Sequence, residues 1–161
     1  MVRRMRVVIG VLGAVMVVAG HVIGGTADDQ PVFVRWLAPD DPGDETIRDY
    51  WERAERGELD PPSLVDLGTM LFYRGFVDDA VDFYHRALDA DADLYESWFR
   101  IGLVEHSRGE LGNAEQAYQR CLKKRPGHAW CNFYYGLLEE QLGHSKKALG
   151  YYEAAFKSMP E

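Results

Sequence analysis

Apolar, small and glycine positions recur every thirty-four residues along the last three fifths or so of the chain. Each block runs glycine, glycine, alanine, tyrosine and a second small residue, and no gap is needed to align the three blocks. A large apolar residue follows each time, at Leu88, Leu122 and Phe156. A fixed period of this length indicates a repeat architecture. The aligned positions are Gly68, Gly75, Ala80, Tyr84 and Ala87; Gly102, Gly109, Ala114, Tyr118 and Cys121; and Gly136, Gly143, Ala148, Tyr152 and Ala155.

Each block predicts a hairpin of two helices. The first glycine permits close approach of the partner helix, the second takes the left-handed conformation that ends the first helix, and the alanine lets the second helix pack closely. One hairpin cannot bury its apolar stripe alone, so neighbours stack, and about three repeats are needed for stability. The chain has three, and the sequence therefore predicts an all-α solenoid.

The opening of each block carries a family resemblance. Trp98, Ile101 and Gly102 resemble the Trp-x-x-Leu-Gly start of the tetratricopeptide repeat (TPR) family, and Pro126 and Pro160 match its closing proline. The other two openings are Leu64, Leu67 and Gly68, and Asn132, Tyr135 and Gly136. The resemblance implies a right-handed solenoid of helical hairpins at 61–94, 95–128 and 129–161, and a protein or peptide as partner.

In the TPR fold the first helix of each hairpin lines a concave groove. The family's basic and amide clamp for acidic peptides has no counterpart here, because Val65, Phe99 and Phe133 stand at such places. We therefore expect an apolar, aromatic groove that binds an apolar stretch or an amphipathic helix. The alternative is that the chain's own Val32, Phe33 and Trp36 fill it. The resemblance places in the groove Val65, Thr69, Phe72, Tyr73, Phe99, Leu103, His106, Phe133, Leu137 and Gln141.

Two segments precede the repeats. Residues 28–43 hold three prolines and four acids and predict a linker, in which residues 32–34 dock in extended form. Residues 44–60 predict a helix beginning near Asp44, because Ile47, Trp51 and Ala54 fall on one face. This helix is either an added cap on the stack or the second helix of a decayed repeat.

The last predicted helix, at about 145–158, has no further helix after it in the printed sequence. We therefore expect Leu149, Tyr152 and Phe156 to be only partly covered. An exposed apolar patch on a terminal repeat commonly marks an interface. The sequence thus predicts self-association, or docking of a partner, through the C-terminal repeat.

The N-terminus predicts export. Arg3, Arg4 and Arg6 precede an uncharged apolar run at 7–23, and small residues at 25–27 offer a cleavage site. The run is either a cleaved signal peptide or an uncleaved membrane anchor, and both place the rest of the chain outside the cytoplasm, in the periplasm or beyond. All 26 acidic residues lie after residue 27, with 15 of the 18 basic ones. This acidic balance argues against nucleic acid and anionic lipid as partners.

The sequence offers little chemistry. None of its five histidines lies in a HExxH pair, and glycine-rich phosphate loops and nucleophile elbows are absent. We predict a protein that is not an enzyme, with no cofactor and no metal, since the loose cluster of Cys121, His128 and Cys131 lacks a fourth ligand in sequence. The two cysteines predict a disulfide in an oxidising compartment, or else two buried thiols. The function predicted is an exported interaction module that assists assembly of an envelope complex; the alternative is a structural accessory subunit of a membrane-associated complex with an empty groove.

The export prediction has a direct test. If Ala27 ends a cleaved peptide, the mature protein begins at Asp28 and extracts without detergent, because the apolar run is gone. N-terminal mass mapping of the protein from its host measures this. A mature form that retains residues 3–23 and pellets with membranes contradicts cleavage and favours the anchor.

Overall fold

The computed structural model describes residues 16–18, 21–23 and 30–159 of the chain. Its contacts divide the chain into two units, residues 1–37 and 38–161. In the first unit, strands β1 (Met16–Val18) and β2 (His21–Ile23) pair antiparallel. Most of the predicted signal segment lies outside the described residues. Among the residues that are described, no helix is long and apolar enough to cross a membrane.

The first unit also contains a short helix, α1 (Val32–Trp36). The prediction that residues 32–34 are extended was therefore wrong. The backbone N–H of Val34 donates to the carbonyl of Pro31 at 3.1 Å, which closes the first turn. Phe33 and Val34 are buried, whereas Val32 and Trp36 are exposed. Occupation of the groove by this segment stays a prediction.

The second unit consists of seven helices that pack as successive antiparallel neighbours. Three hairpins, α3 with α4, α5 with α6 and α7 with α8, stack through contacts of α4 with α5 and of α6 with α7. This arrangement confirms the predicted all-α hairpin solenoid with an extra N-terminal helix. The helices are α2 (Pro42–Glu55), α3 (Pro61–Tyr73), α4 (Val77–Ala90), α5 (Tyr95–Ser107), α6 (Leu111–Lys124), α7 (Ala129–Gln141) and α8 (Ser145–Ser158).

The ends of the first helices follow from three glycines. Gly75, Gly109 and Gly143 have φ of 86°, 77° and 80°, the left-handed conformation predicted for them. Helix α2 starts slightly earlier than the sequence suggested. Asp41 caps α2 by accepting from Gly43 N and Asp44 N, so Asp44 itself lies inside the helix.

A tyrosine ring lies directly on a helical glycine in each hairpin. A Cβ added at Gly68 would lie 2.7 Å from the ring of Tyr84, and one at Gly102 would lie 2.5 Å from Tyr118. Gly136 faces Tyr152 with a corresponding distance of 2.8 Å. Carbon atoms do not approach so closely, so these three positions require glycine. The ring therefore sets the separation of the two helices in each hairpin.

The extra helix α2 is connected to α3 by the same kind of ion pair that connects α4 to α5. The C-cap of α3, Arg74, forms an ion pair of 2.8 Å with the buried Asp44 of α2. Thirty-four residues further along, Arg108 caps α5 and pairs with Asp78 of α4. Because both partners are shifted by one period, α2 occupies the place of a second helix. This favours the interpretation of α2 as the remnant of a decayed repeat.

Replacing Gly102 by alanine tests the ring-on-glycine contact. We expect Gly102→Ala to lower the free energy of unfolding by about 1–3 kcal/mol, because the new methyl group overlaps the ring of Tyr118. The matched control is Gly150→Ala in α8, where nothing lies within 4 Å of an added Cβ. The control should raise the free energy of unfolding by about 0.5–1 kcal/mol through helix propensity. Urea unfolding measures both, and equal stabilities would contradict the packing described.

Candidate partner-binding face

The candidate site is the face shared by the first helices of the three hairpins, α3, α5 and α7, called here the first-helix face. It is continuous because α3 contacts α5 and α5 contacts α7. All the predicted groove residues lie on these three helices. Their exposure and contacts differ strongly from one residue to the next.

Two predicted groove residues belong to the core. Phe99 is only 9% exposed, and its ring packs 5.1 Å from the ring of His128 and 5.9 Å from that of Tyr134. Val65 is buried as well. The prediction that these side chains line an open groove was wrong, since the neighbouring hairpin covers the Phe99 ring through α7 and the residue that caps it.

Polar groups join the second and third hairpins on this face. His106 Nε2 lies 3.0 Å from Gln141 Oε1, and its Nδ1 lies 3.4 Å from the hydroxyl of Tyr118. The structure thus brings together two predicted groove residues, His106 and Gln141, from different repeats. The face is therefore not wholly apolar, because a polar row crosses the junction of the two hairpins.

The first repeat contributes a separate part of the face. Thr69 donates to the carbonyl of Val65 at 2.8 Å, and its oxygen lies 3.4 Å from the hydroxyl of Tyr84. Phe72 is half-buried and meets the largely exposed Tyr73 edge to face at 5.7 Å. These aromatic side chains give the first repeat an apolar surface. Leu103 and Leu137, in the other two repeats, are half-buried.

An exposed aromatic cluster on α7 forms part of the face in the third repeat. Trp130 is 54% exposed and Phe133 is 38% exposed, and their rings meet edge to face at 6.2 Å. Tyr134 packs against both rings. Trp130 was missed because the predicted set began at Phe133, almost one turn later in the helix, and Tyr134, the residue after Phe133, was not included in that set. The signal was present, since Trp130 lies three residues before Phe133 and so shares its side of the helix.

The predicted terminal surface divides in two. Leu149 is 59% exposed and Phe156 is 82% exposed, so both lie open on α8. Tyr152 instead packs inside its own hairpin on Gly136, and its hydroxyl donates to Glu140 Oε2 at 2.7 Å. Partial burial raises the pKa of Tyr152 to about 12, and the bond to Glu140 acts in the same direction. Of the three residues of the predicted terminal surface, only Leu149 and Phe156 are therefore available to a partner.

The two cysteines meet without a covalent bond. Cys121 and Cys131 are both buried free thiols, so the predicted disulfide is absent from the structure. The Sγ of Cys131 lies 3.5 Å from the carbonyl oxygen of Tyr118, and the Sγ of Cys121 lies 3.9 Å from His128 Nδ1. The contact between the thiols lowers the pKa of Cys121, helped by His128, and raises the pKa of Cys131.

Comparison with known proteins agrees with this geometry. Residues 65–129 match the family model described as tetratricopeptide repeat. The chain is similar to the crystal structure of MamA, with a TM-score of 0.65 and 22% identity over 72% of this chain and 68% of that one. The fold is a TPR solenoid.

The chain is also similar to YrrB and to a curated plant protein. The structure of YrrB, described as a TPR protein with an unusual peptide-binding site, gives a TM-score of 0.61 at 21% identity, over 74% of this chain and 61% of that one. Among curated proteins, the protein CTR9 homolog of Arabidopsis thaliana is 28% identical over 114 residues, which is 70% of this chain. The chain spans only 10% of that protein's length.

Phe99 lies in the core of the TPR stack, whereas Phe133 lies on its surface. We expect Phe99→Ala to lower the free energy of unfolding by about 3–5 kcal/mol, because it opens a cavity in the core. Phe133→Ala should cost only about 0.5–1.5 kcal/mol, the worth of its exposed ring contacts. Chemical denaturation of the two variants compares them directly. Equal losses would mean that Phe99 is not a core residue.

Proposed function

We propose that this protein is a TPR interaction module that binds a peptide or a partner protein on the first-helix face, centred on the third repeat. The observation that carries the proposal is the exposed aromatic cluster of Trp130, Phe133 and Tyr134. Tryptophan and tyrosine dominate binding energy at interfaces, because they bury a large area at a low cost in conformational entropy.

The surroundings of this cluster indicate the chemistry of the ligand. Leu137 continues the apolar surface along α7, while Gln141 and the carboxylate of Glu140 form its polar edge. An amphipathic helix, or an extended stretch with an apolar anchor, would bury its side chains against the rings and place polar groups at the edge. The similarity to YrrB, whose description includes a peptide-binding site, supports a ligand of this class.

The proposal includes export and a role in assembling an envelope complex. Its support is in the sequence, where Arg3, Arg4 and Arg6 precede the apolar run at 7–23. An acidic TPR module outside the cytoplasm would meet protein partners there and not nucleic acid. It needs no catalytic group to hold them.

A second candidate function is that of a structural accessory subunit with an empty groove. The open side chains of Leu149 and Phe156 favour it, because they lie on the last helix, α8, and not on the first-helix face. In that case α8 docks on another subunit of a membrane-associated complex or on a second copy of the chain. The two candidates thus use different residues.

Alanine variants separate the two candidates. We expect the double variant Trp130→Ala, Phe133→Ala to lose the protein that crosslinks to the wild type in the native host, because the anchoring rings are gone. The control is Phe156→Ala, which removes an even more exposed ring from α8. Crosslinking, affinity purification and mass spectrometry measure the captured partner.

The opposite pattern contradicts the proposal. If Phe156→Ala abolishes capture while the α7 double variant retains it, the second candidate is correct. Circular dichroism and urea unfolding of each variant verify that the hairpins are intact. A double variant that remains folded and captures the same partner in the same amount contradicts binding at the first-helix face.

A further inference from the structure

Two cysteines and a histidine, residue types that can bind metal ions, meet at the junction of the second and third hairpins. Cys121 belongs to the last turns of α6, His128 is the N-cap residue of α7, and Cys131 is in the first turn of α7. We propose that these residues form a three-ligand site for a thiophilic metal ion, with Cu(I) as the preferred ion.

The distances suit a single ion. Cys121 Sγ, His128 Nδ1 and Cys131 Sγ all lie within 4.8 Å of one another, and the pair Cys121 Sγ and His128 Nδ1 is separated by 3.9 Å. Metal bonds of about 2.3 Å to sulfur and about 2 Å to nitrogen hold the donor atoms roughly 3.5–4 Å apart. The three atoms therefore need to move by less than about one ångström to enclose an ion.

The donor set decides the class of metal. Two thiolates and one imidazole are soft ligands, which select Cu(I) and Zn(II) over the hard cations that carboxylates bind. Structural zinc sites have four protein ligands, whereas Cu(I) is satisfied by three in a trigonal arrangement. Among the described residues, this cluster supplies three ligand atoms. When the metal binds, both thiols lose their protons to solvent. The two negative thiolates then face the positive charge of the ion.

The environment favours a closed site with one point of entry. Both thiols are fully buried, which excludes water and other ligands from the sulfur atoms. His128 is only half-buried and lies in the connection between α6 and α7, with its ring 5.1 Å from that of Tyr95. An ion can enter on the histidine side. Its bond to Nδ1 replaces the hydrogen bond of 3.1 Å that this atom now accepts from the backbone N–H of Cys131.

The other repeats supply natural metal-free counterparts of the two cysteines. One period away from Cys121 stand Ala87 and Ala155, and one period before Cys131 stands Ser97. Both Ala87 and Ser97 are fully buried, so the fold accepts these residues at the same places. The variants Cys121→Ala and Cys131→Ser therefore remove ligands with little disturbance of packing. His128→Asn keeps a side chain that can cap α7.

The test is a metal titration of the full chain, purified reduced and without oxygen. Cu(I) is added in competition with a coloured Cu(I) chelator, and Zn(II) is titrated in a parallel series against a zinc indicator. We expect the wild type to take up one equivalent of Cu(I), with thiolate-to-copper absorption, and to hold Cu(I) more tightly than Zn(II). Each of the three substitutions should weaken binding by at least about a hundredfold, since even the partners of metal ligands contribute up to that much.

His106→Asn is the matched control, because it removes a histidine outside the cluster and should leave the affinity unchanged. Circular dichroism of every variant verifies folding. The proposal is overturned if the wild type competes for Cu(I) no better than the double variant Cys121→Ala, Cys131→Ser. Tighter binding of Zn(II), or a Cys121–Cys131 disulfide in the protein isolated from its host, would overturn it as well.

Discussion

In each hairpin a tyrosine ring of the second helix packs directly on a glycine of the first helix, and the solenoid is a stack of these hairpins. The rings of Tyr84, Tyr118 and Tyr152 occupy the space of a missing Cβ, so the two helices of each hairpin lie at one fixed separation. The hydroxyl of each tyrosine also contacts a polar side chain of the same first helix: Thr69, His106 or Glu140. Because one residue provides both contacts, packing inside a hairpin and the polarity of the face that a partner would meet are coupled.

The hairpins are alike, and the junctions between them are not. The same ion pair connects the helices at two successive junctions. It is formed by Asp44 with Arg74 at the first and by Asp78 with Arg108 at the second. At the third junction the corresponding positions are Gly112 and Leu142, which cannot form it. There the stack relies on the aromatic and thiol groups of the core cluster, which includes Phe99, Cys121 and Cys131. The features specific to this protein are therefore that junction and the aromatic rings of α7, whereas the same fold serves proteins with many different functions.

Local features were predictable from the sequence and tertiary ones were not. The turns at Gly75, Gly109 and Gly143 and the bounds of α8 followed from residues close to one another in the chain. The burial of Phe99 did not, because it depends on how the next hairpin tilts across α5 and on the ring of His128. Helix α1 was missed since five residues after a proline carry no helical period. The proximity of the two thiols to His128 Nδ1 could not be predicted, because it depends on the path of the chain between α6 and α7, which sequence spacing does not give.

Binding of a partner to the first-helix face at the third repeat can be tested directly. The most direct measurement places a photoreactive amino acid at position 133, and separately at position 156, in the protein expressed in its own host. Irradiation followed by peptide mapping identifies what lies against each position. We expect crosslinks from position 133 to one defined segment of another protein, with few from position 156. Crosslinks from position 133 only to the chain's own residues 30–37, or a defined partner found at position 156 alone, would contradict it.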